Sequence, residues 1–405
     1  RPEGRAPGKL LIVVPSRAEG ARVGDLPGDV RREISLKENT AAAASGAAPV
    51  MPRVHVDVLV VLDGPDADAE ARLKADGVDY LSKKSAGPAK GDALAFLAEQ
   101  MDDRLDAYDF ILVFDADMRL PEGFFRDLRV PGGTEAFQLP VRPSGVPAPG
   151  APRVEALSLA EARLDDLARD AAGLPVRLRG KAMGFSPRAF RLGPAAATRT
   201  TAEDSEATLA LLAKGIVVRA LDGPMAFDEP SSDAGAMGRS RARWFGGHMK
   251  LLFSGLGDLV RSFVRRPVGT LVLAADLWLR PRIFLLGTLA FLAGASDLAM
   301  VVFSSSGAWS ASAHAAGGAA AAGGATGAAM PVALLVCLLL LSLEGKAALL
   351  FEWLSLAAVR HRIGFPAECP PVALADLSDS LLVWAGAVVR GVLAPSRWHR
   401  ARPEA

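Results

Sequence analysis

The sequence predicts an α/β fold with a mostly parallel sheet, followed by helices that lie on and cross a membrane. Three observations on the 405-residue chain lead to this expectation. Short β-rich runs alternate with helical stretches from residue 9 to about residue 220. Long apolar runs replace this alternation after residue 249. Half of all residues are hydrophobic and the mean hydropathy is +0.24, which is higher than a soluble enzyme usually needs.

The predicted strands and helices follow one another as βα units require. Strands are predicted at Leu10 to Val14, Val54 to Leu62, Phe110 to Phe114, Phe137 to Leu139 and Ile216 to Leu221. Helices are predicted at 90–104, 156–170 and 203–214. Ser158 and Glu161 form a capping-box pattern in the second helix, and Gly215 ends the third. Residues 38–50 and 141–153 are rich in Ala, Gly and Pro, which predicts loops.

The C-terminal part predicts membrane contact. Residues 249–264 place apolar side chains near one face, which fits a helix lying in a membrane surface. The runs 283–303 and 331–351 are each 21 residues long, enough to cross a hydrocarbon layer of about 30 Å. The apolar stretch 381–394 fits either an interfacial helix or a short span. The sequence therefore predicts a globular domain at 1–248, interfacial helices at 249–282 and a membrane region at 283–405.

Charged residues at the ends of both spans predict the orientation. Arginines precede the first span and follow the second, so the positive-inside rule places residues 1–248 in the cytoplasm of an integral protein of the inner or plasma membrane. The alternative to two membrane spans is a pair of buried helices in a large soluble domain. The connector 304–329 argues against it, because it is almost wholly Ala, Gly and Ser and carries no Lys, Arg, Asp or Glu.

Charge and cysteine content exclude several classes of protein. Lys and Arg number 46 against 45 Asp and Glu, which argues against a partner such as nucleic acid that is bound through bulk charge. Two cysteines without a C-x-x-C pattern supply neither a disulfide framework nor a structural zinc site. The absence of G-x-G-x-x-G and of a P-loop argues against a dinucleotide enzyme or a P-loop ATPase. The sequence opens on Arg1 without Met, so we expect a further segment upstream.

Two carboxylates follow the predicted strand that ends in Val113-Phe114. Asp115 and Asp117 point the same way along an extended chain, so both can address one hard cation such as Mg²⁺ or Mn²⁺ and the diphosphate that it binds. The end of such a strand is where open α/β sheets usually bind ligands. For an isolated D-x-D pattern, a solvated turn is the favoured alternative.

Three further motifs each have a structural alternative. Asp63 ends another strand, where it can also form a turn, and Lys90 opens a helix whose N-terminus suits a phosphate, although it can equally be a surface charge. Glu203 and Asp204 lie in a helical first turn, where carboxylates also stabilise the helix dipole. The segment Ser240-Arg241-Ala242-Arg243-Trp244 precedes the interfacial helix and fits a membrane anchor equally well.

In this order the motifs resemble those of the membrane-embedded family 2 glycosyltransferases, which include cellulose and hyaluronan synthases and ceramide glucosyltransferase. The resemblance runs from Val13-Val14-Pro15-Ser16-Arg17-Ala18-Glu19 to the basic, Trp-containing end at 398–402. It implies a GT-A-type nucleotide-diphospho-sugar transferase domain. The implied partners are a nucleoside diphosphate sugar donor, such as a uridine diphosphate sugar, a lipid or glycan acceptor, and membrane lipids.

The resemblance also implies a role for each matching residue. Asp63, Lys90 and Asp115 would hold the nucleotide and ribose, and Asp117, with Asp115, would bind Mg²⁺ or Mn²⁺ on the diphosphate. Asp204 would be the catalytic base. The remaining substrate-binding residues would be Glu19 in the first loop, Glu203 beside the base, and Arg243 and Trp244 at the diphosphate and the acceptor. Direct attack on the donor would invert the anomeric centre.

Three positions depart from the family pattern. Ala18 stands where members usually have Asn, Ala202 where they have Thr, and Ser240 where processive synthases have Gln. These departures leave two functions open. The first is an inverting hexosyltransferase that acts on a lipid or glycan acceptor. The alternative is a catalytically silent nucleotide-sugar-binding subunit of a glycan-assembly complex.

Overall fold

The computed structural model describes residues 4–18, 20–43, 54–228 and 234–278, together with single positions between 294 and 390. The chain divides into two compact units. The first comprises residues 1–278, 366–370 and 374–405, and the second comprises 279–365 and 371–373. All helices and strands named below belong to the first unit.

Within the described residues, ten strands form two sheets. The strands are β1 (Lys9–Ser16), β2 (His55–Leu62), β3 (Asp79–Ser82), β4 (Phe110–Val113), β5 (Met118–Arg119), β6 (Ala136–Gln138), β7 (Val141–Pro143), β8 (Met183–Phe185), β9 (Val218–Ala220) and β10 (Ala226–Asp228). The large sheet has the order β3-β2-β1-β4-β8-β6-β9, and the small one β5-β10-β7. In the large sheet only β8 runs against its neighbours. The predicted α/β class with a mostly parallel sheet is confirmed.

Helices connect and cover these strands. They are α1 (Asp25–Ala43), α2 (Ala67–Asp76), α3 (Lys90–Leu105), α4 (Phe124–Asp127), α5 (Ala151–Ala171), α6 (Pro187–Leu192), α7 (Glu203–Ala213), α8 (Ala234–Ser254), α9 (Leu256–Arg265) and α10 (Pro267–Trp278). Short 3₁₀ turns lie at Gly20–Gly24 and Pro194–Ala196.

The large sheet is buried on both faces. Along β1, Leu10, Ile12 and Val14 face one hydrophobic cluster, which also contains residues of α1, α2 and α4. Leu11 and Val13 face the other, to which α3, α6 and α7 contribute. Burial on both faces explains why the strands read as continuous apolar runs in the sequence.

The five predicted strands and the helices predicted at 90–104 and 203–214 are present in the structure. The start predicted for the helix at 156–170 is wrong, because α5 begins at Ala151 after Gly150, whose φ is 85°. Ser158 and Glu161 therefore lie inside the helix and form no capping box. The loop predictions are wrong in part, since 38–43 belong to α1, 141–143 to β7 and 151–153 to α5. Residues 44–50 lie outside the described residues.

The predicted integral membrane location is corrected by the structure. Within the part of the chain that the structure describes, no helix is long enough and apolar enough to cross a bilayer, and this overturns the expectation of an integral membrane protein. The predicted spans 283–303 and 331–351 lie, apart from single positions in the first, outside the described residues, as does about half of 381–394. The predicted interfacial segment 249–264 falls on the end of α8 and on α9. Its placement at a membrane surface stays a prediction.

Candidate active site

The carboxyl ends of three neighbouring parallel strands bring polar side chains to one edge of the large sheet. Arg17 follows β1, Asp63 follows β2 and, two residues after β4 ends, the chain reaches Asp115. Since β1 pairs in parallel with both β2 and β4, the three residues share that edge. Ligands of open α/β sheets bind at such an edge.

Asp63 is buried and surrounded by donors. Its carboxylate accepts hydrogen bonds from Arg17, from the Lys83 amine at 2.7 Å and from the Gly87 amide at 3.0 Å. A buried carboxylate needs such partners, because removing it from water costs several kcal/mol in the absence of a counter-charge. Asp63 thus ties together the loops that follow β1, β2 and β3, while its predicted contact with a nucleotide stays a prediction.

Lys90 connects the end of β4 to a loop on the other side of the site. Its buried amine donates to the carboxylate of Asp115 and, at 2.6 Å, to the carbonyl of Gly180. The next residue, Gly91, lies in a close backbone approach to Ala197. A Cβ atom at position 91 would lie 1.8 Å from the carbonyl oxygen of Ala197, so no larger residue fits there without a shift of the backbone. The Lys-Gly pair thus sets the position of the N-terminus of α3.

A second lysine lies among the carboxylates. Lys181 pairs with Asp228, which is opposite Met118 in the β5–β10 ladder and hence close to Asp117. Burial alone would lower the pKa of Lys181, but the charges of Asp228, Asp115 and Asp117 outweigh it and raise the pKa above its ordinary value. Lys181 is therefore a permanent cation at this end of the sheet.

The residues at the end of β4 suit a divalent cation. Among the described residues no group of three or more His, Cys, Asp or Glu is arranged to hold a metal ion. Mg²⁺ and Mn²⁺, however, are commonly held by one or two carboxylates, with substrate phosphates and water as the remaining ligands. Asp115 and Asp117 are both half-buried, so a diphosphate and its cation can reach them. The donor chemistry of this pair fits the predicted Mg²⁺ or Mn²⁺.

The first turn of α7 carries three acidic residues with different surroundings. Glu206 is fully buried, and its carboxylate accepts from the Arg199 side chain at 2.8 Å and from the Thr200 amide at 2.9 Å. Glu203 and Asp204 lie beside Gly180 instead. A Cβ atom at position 180 would be 3.9 Å from a Glu203 oxygen and 3.8 Å from an Asp204 oxygen. Because Gly180 also accepts from Lys90, these two carboxylates adjoin the end of β4.

Glu203 titrates near neutral pH. Burial, followed by the charge of Asp204, raises the pKa of Glu203 to about 7, although Lys90 and Arg243 act in the opposite direction. A carboxyl group with such a pKa can hold or release a proton at physiological pH, which suits acid–base chemistry. The Glu203–Asp204 pair is therefore the group of this site best suited to take up a proton.

Arg243 and Trp244 reach the same region from α8. The Thr201 hydroxyl donates to the carbonyl of Arg243 at 2.9 Å, which joins α8 to the turn that precedes α7. The guanidinium of Arg177 lies 5.4 Å from the centre of the Trp244 ring, within the range of a cation–π contact. The structure thus brings the Arg-Trp motif next to Glu203 and Asp204.

Most of the predicted site residues come together, and several contributors were not predicted. Lys90, Asp115, Asp117, Glu203, Asp204, Arg243 and Trp244 lie around one region, Asp63 lies behind it among its donors, and Glu19 is outside the described residues. Lys181 and Asp228 were missed. The sequence signal for Lys181 was the glycine that precedes it. In the structure Gly180 has a φ of 79°, a turn conformation that favours glycine. Asp228 ends β10, a strand too short to read from the sequence.

Comparisons with known proteins return similar structures only. The chain matches no protein-family model and no curated protein. A mannosyltransferase from Pyrobaculum calidifontis, solved with GDP-Man and Mn²⁺, has a TM-score of 0.48 at 13% identity over 97% of this chain and 89% of that one. Glucosyl-3-phosphoglycerate synthase from Mycobacterium tuberculosis, solved with Mn²⁺, UDP and glucosyl-3-phosphoglycerate, has a TM-score of 0.35 at 15% identity, over 59% and 78%. Mannosyl-3-phosphoglycerate synthase from Rubrobacter xylanophilus has a TM-score of 0.36 at 17% identity, over 64% and 73%.

The raised pKa of Glu203 makes a prediction about stability. The folded protein holds this proton more tightly than the unfolded chain, where the ordinary value is 4.5. The resulting stabilisation is therefore complete below pH 4.5 and is lost as the pH rises through about 7. The Glu203→Gln variant has no carboxyl group at this position, so it does not lose stability in this way as the pH rises. Its free energy of unfolding relative to the parent should rise by about 1–3 kcal/mol between about pH 5 and about pH 8.5, measured by urea unfolding.

Glu99→Gln is the matched control, because Glu99 lies exposed on α3. It should change the free energy of unfolding equally at both pH values. If Glu203→Gln behaves like this control, the environment assigned to Glu203 is wrong.

Proposed function

We propose that this protein is an inverting glycosyltransferase with a GT-A-type domain, which moves a sugar from a nucleoside diphosphate sugar to a hydroxyl group of a lipid or glycan acceptor. One observation supports this most strongly. Through Lys90, which contacts both Asp115 and Gly180, the carboxylates at the end of β4 and those of the first turn of α7 line one region. A transferase needs a diphosphate site and a base in one region, because the proton acceptor must adjoin the carbon that leaves the diphosphate.

The donor end of the site balances the charge of a diphosphate. Asp117 and Asp115 would hold Mg²⁺ or Mn²⁺, which when bound neutralises the diphosphate and stabilises the departing nucleoside diphosphate. Lys90 and Lys181 add two cations from the protein itself. Lys90 is fixed by its two hydrogen bonds, so little reorganisation is required when negative charge develops on the leaving group.

Asp204 is the proposed base. As the acceptor oxygen forms its bond to the anomeric carbon, the hydroxyl proton passes to the Asp204 carboxylate. The bond from that carbon to the diphosphate oxygen breaks, and its electron pair leaves with the nucleoside diphosphate. Burial and the charge of Asp204 raise the pKa of the neighbouring Glu203 to about 7, so a part-protonated Glu203 repels the Asp204 carboxylate less. A single displacement inverts the configuration at the anomeric carbon.

The acceptor side is proposed to include Arg243 and Trp244. Both are half-buried on α8, so their side chains are accessible to a ligand. An indole ring offers an apolar face against which sugar rings or lipid chains can pack, and the Arg243 charge, which acts on Glu203, suits the diphosphate.

The metal assignment predicts a loss of donor binding. Asp117→Asn keeps the size of the side chain but removes a charge that would hold the cation, so Mn²⁺-dependent affinity for the nucleoside diphosphate should fall by about tenfold or more. Isothermal titration with a nucleoside diphosphate in Mn²⁺ measures this. Asp106→Asn is the control, because this residue lies at the far end of α3 and pairs with Arg191. Equal affinity in both variants would remove Asp117 from the metal site.

The base assignment predicts a loss of turnover without a loss of donor binding. Asp204→Asn should lower the transfer rate by about 10² to 10⁴, the usual contribution of a general base. Asp68→Asn makes the same change in the exposed first turn of α2 and controls for the loss of a charge–dipole contact. Turnover and melting temperature are measured on both. Turnover of Asp204→Asn within about threefold of the parent would remove the base assignment and favour the silent subunit.

A further inference from the structure

A buried histidine lies beside the proposed base. His248 is on α8, one turn after Trp244, and is only 3% exposed. Its Nε2 atom is 2.8 Å from the hydroxyl of Ser205, and its Nδ1 atom is 2.9 Å from the carbonyl oxygen of Trp244. Ser205 directly follows Asp204 in the chain and is fully buried.

The partners of His248 fix its protonation. A carbonyl oxygen can only accept, so Nδ1 carries the hydrogen and donates to Trp244. If the ring is neutral, Nε2 is an acceptor, and the Ser205 hydroxyl donates to it. Burial, followed by the positive charge of Arg177, lowers the pKa of His248 to about 4 and keeps the ring neutral. Both ring nitrogens therefore form hydrogen bonds, and these fix the orientation of the ring.

Ser205 links His248 to Asp204, the proposed base. The Ser205 amide donates to the Asp204 carboxylate at 2.7 Å, while its hydroxyl donates to His248. A chain of hydrogen bonds thus runs from the carbonyl of Trp244 through His248 and Ser205 to Asp204. A close backbone approach supports it, because a Cβ atom at Gly247 would lie 2.6 Å from the amide nitrogen of Ala202.

His248 also contacts the ring of the proposed acceptor-binding residue. The centres of the His248 and Trp244 rings are 3.7 Å apart, with 43° between their planes. Residues four positions apart share a helix face, which allows this contact. His248 therefore touches both the Trp244 ring and the residue that follows the base.

We propose that His248 is a positioning residue that holds Asp204 in register with Trp244, so that an acceptor hydroxyl placed by the indole meets the carboxylate. This proposal rests on the proposed function. The Ser205–His248 pair aligns the base with the acceptor and does not contact the donor. Small misalignments of reacting groups are costly, and an error of about 1 Å can lower a rate about 10²-fold.

Two substitutions of His248 separate the two hydrogen bonds. His248→Asn places an amide near the Nδ1 position, where it reaches the Trp244 carbonyl but not Ser205. His248→Gln places its amide near the Nε2 position and keeps the contact with Ser205. We expect His248→Asn to lower kcat by about tenfold or more with unchanged nucleoside diphosphate affinity. We expect His248→Gln to recover most of the lost rate.

Ser205→Ala removes the other half of the same contact. We expect it to lower kcat as His248→Asn does, and the double variant should be no slower than the slower single variant, because both break one interaction. Ser262→Ala is the matched control. Ser262 is also a fully buried serine, and its hydroxyl donates to the Asp258 carbonyl at 2.7 Å on α9. Melting temperatures of all variants separate loss of fold from loss of rate.

The possible results decide between the proposals. The positioning role is supported if His248→Asn and Ser205→Ala lower kcat with unchanged donor affinity. It also requires that their effects are not additive and that His248→Gln recovers most of the rate. Rates within about threefold of the parent, or rates that fall only as the protein melts, overturn it while leaving the proposed function in place. If the parent transfers sugar from no donor, the proposed function fails and the positioning role fails with it. Should His248→Asn not fold, Ser205→Ala against Ser262→Ala gives the answer.

Discussion

The contact of the Lys90 amine with Asp115 and Gly180 is the interaction on which the rest of the site depends. Asp115 lies 25 residues after Lys90 in the chain, and Gly180 lies 90 residues after it. The N-terminus of α3, which carries Lys90, packs against the backbone of Ala197 at a position where only Gly91 fits. Asp115, at the strand end that suits a diphosphate, and Gly180, which lies beside Asp204, have Lys90 as a common neighbour. One ammonium group thus defines the region in which both halves of the chemistry can act.

Charge balance explains how so many acidic residues tolerate each other. The buried carboxylate of Asp63 is paired within the protein, with Arg17 and Lys83. The carboxylates of the site itself are partly compensated by lysines, and Glu203 responds with a raised pKa. This residual negative charge is an energetic cost in the ligand-free protein. A divalent cation with a diphosphate would relieve it, which links donor binding to the stability of the site.

The sequence predicted the parts of the structure that local pattern controls. Apolar runs identify β1, β2 and β4, because a strand buried on both faces must be continuously hydrophobic. β5 and β10, which have two and three residues, lack such a run, so Asp228 could not be placed. The start of α5 was misread because Gly150 and Pro152 decide it, rather than the polar pattern around Ser158. His248 was missed because its role depends on Ser205, 43 positions earlier, which no local pattern reveals.

The anomeric configuration of the product is the most direct test of the proposed function. Purified protein should be incubated in Mn²⁺ with a panel of nucleoside diphosphate sugars and hydroxyl acceptors, and the anomeric configuration of the product determined by NMR. With one base and no protein nucleophile assigned, the account predicts single displacement, so an α-linked donor gives a β-linked product. A product of retained configuration, or the absence of transfer from every donor, would contradict it.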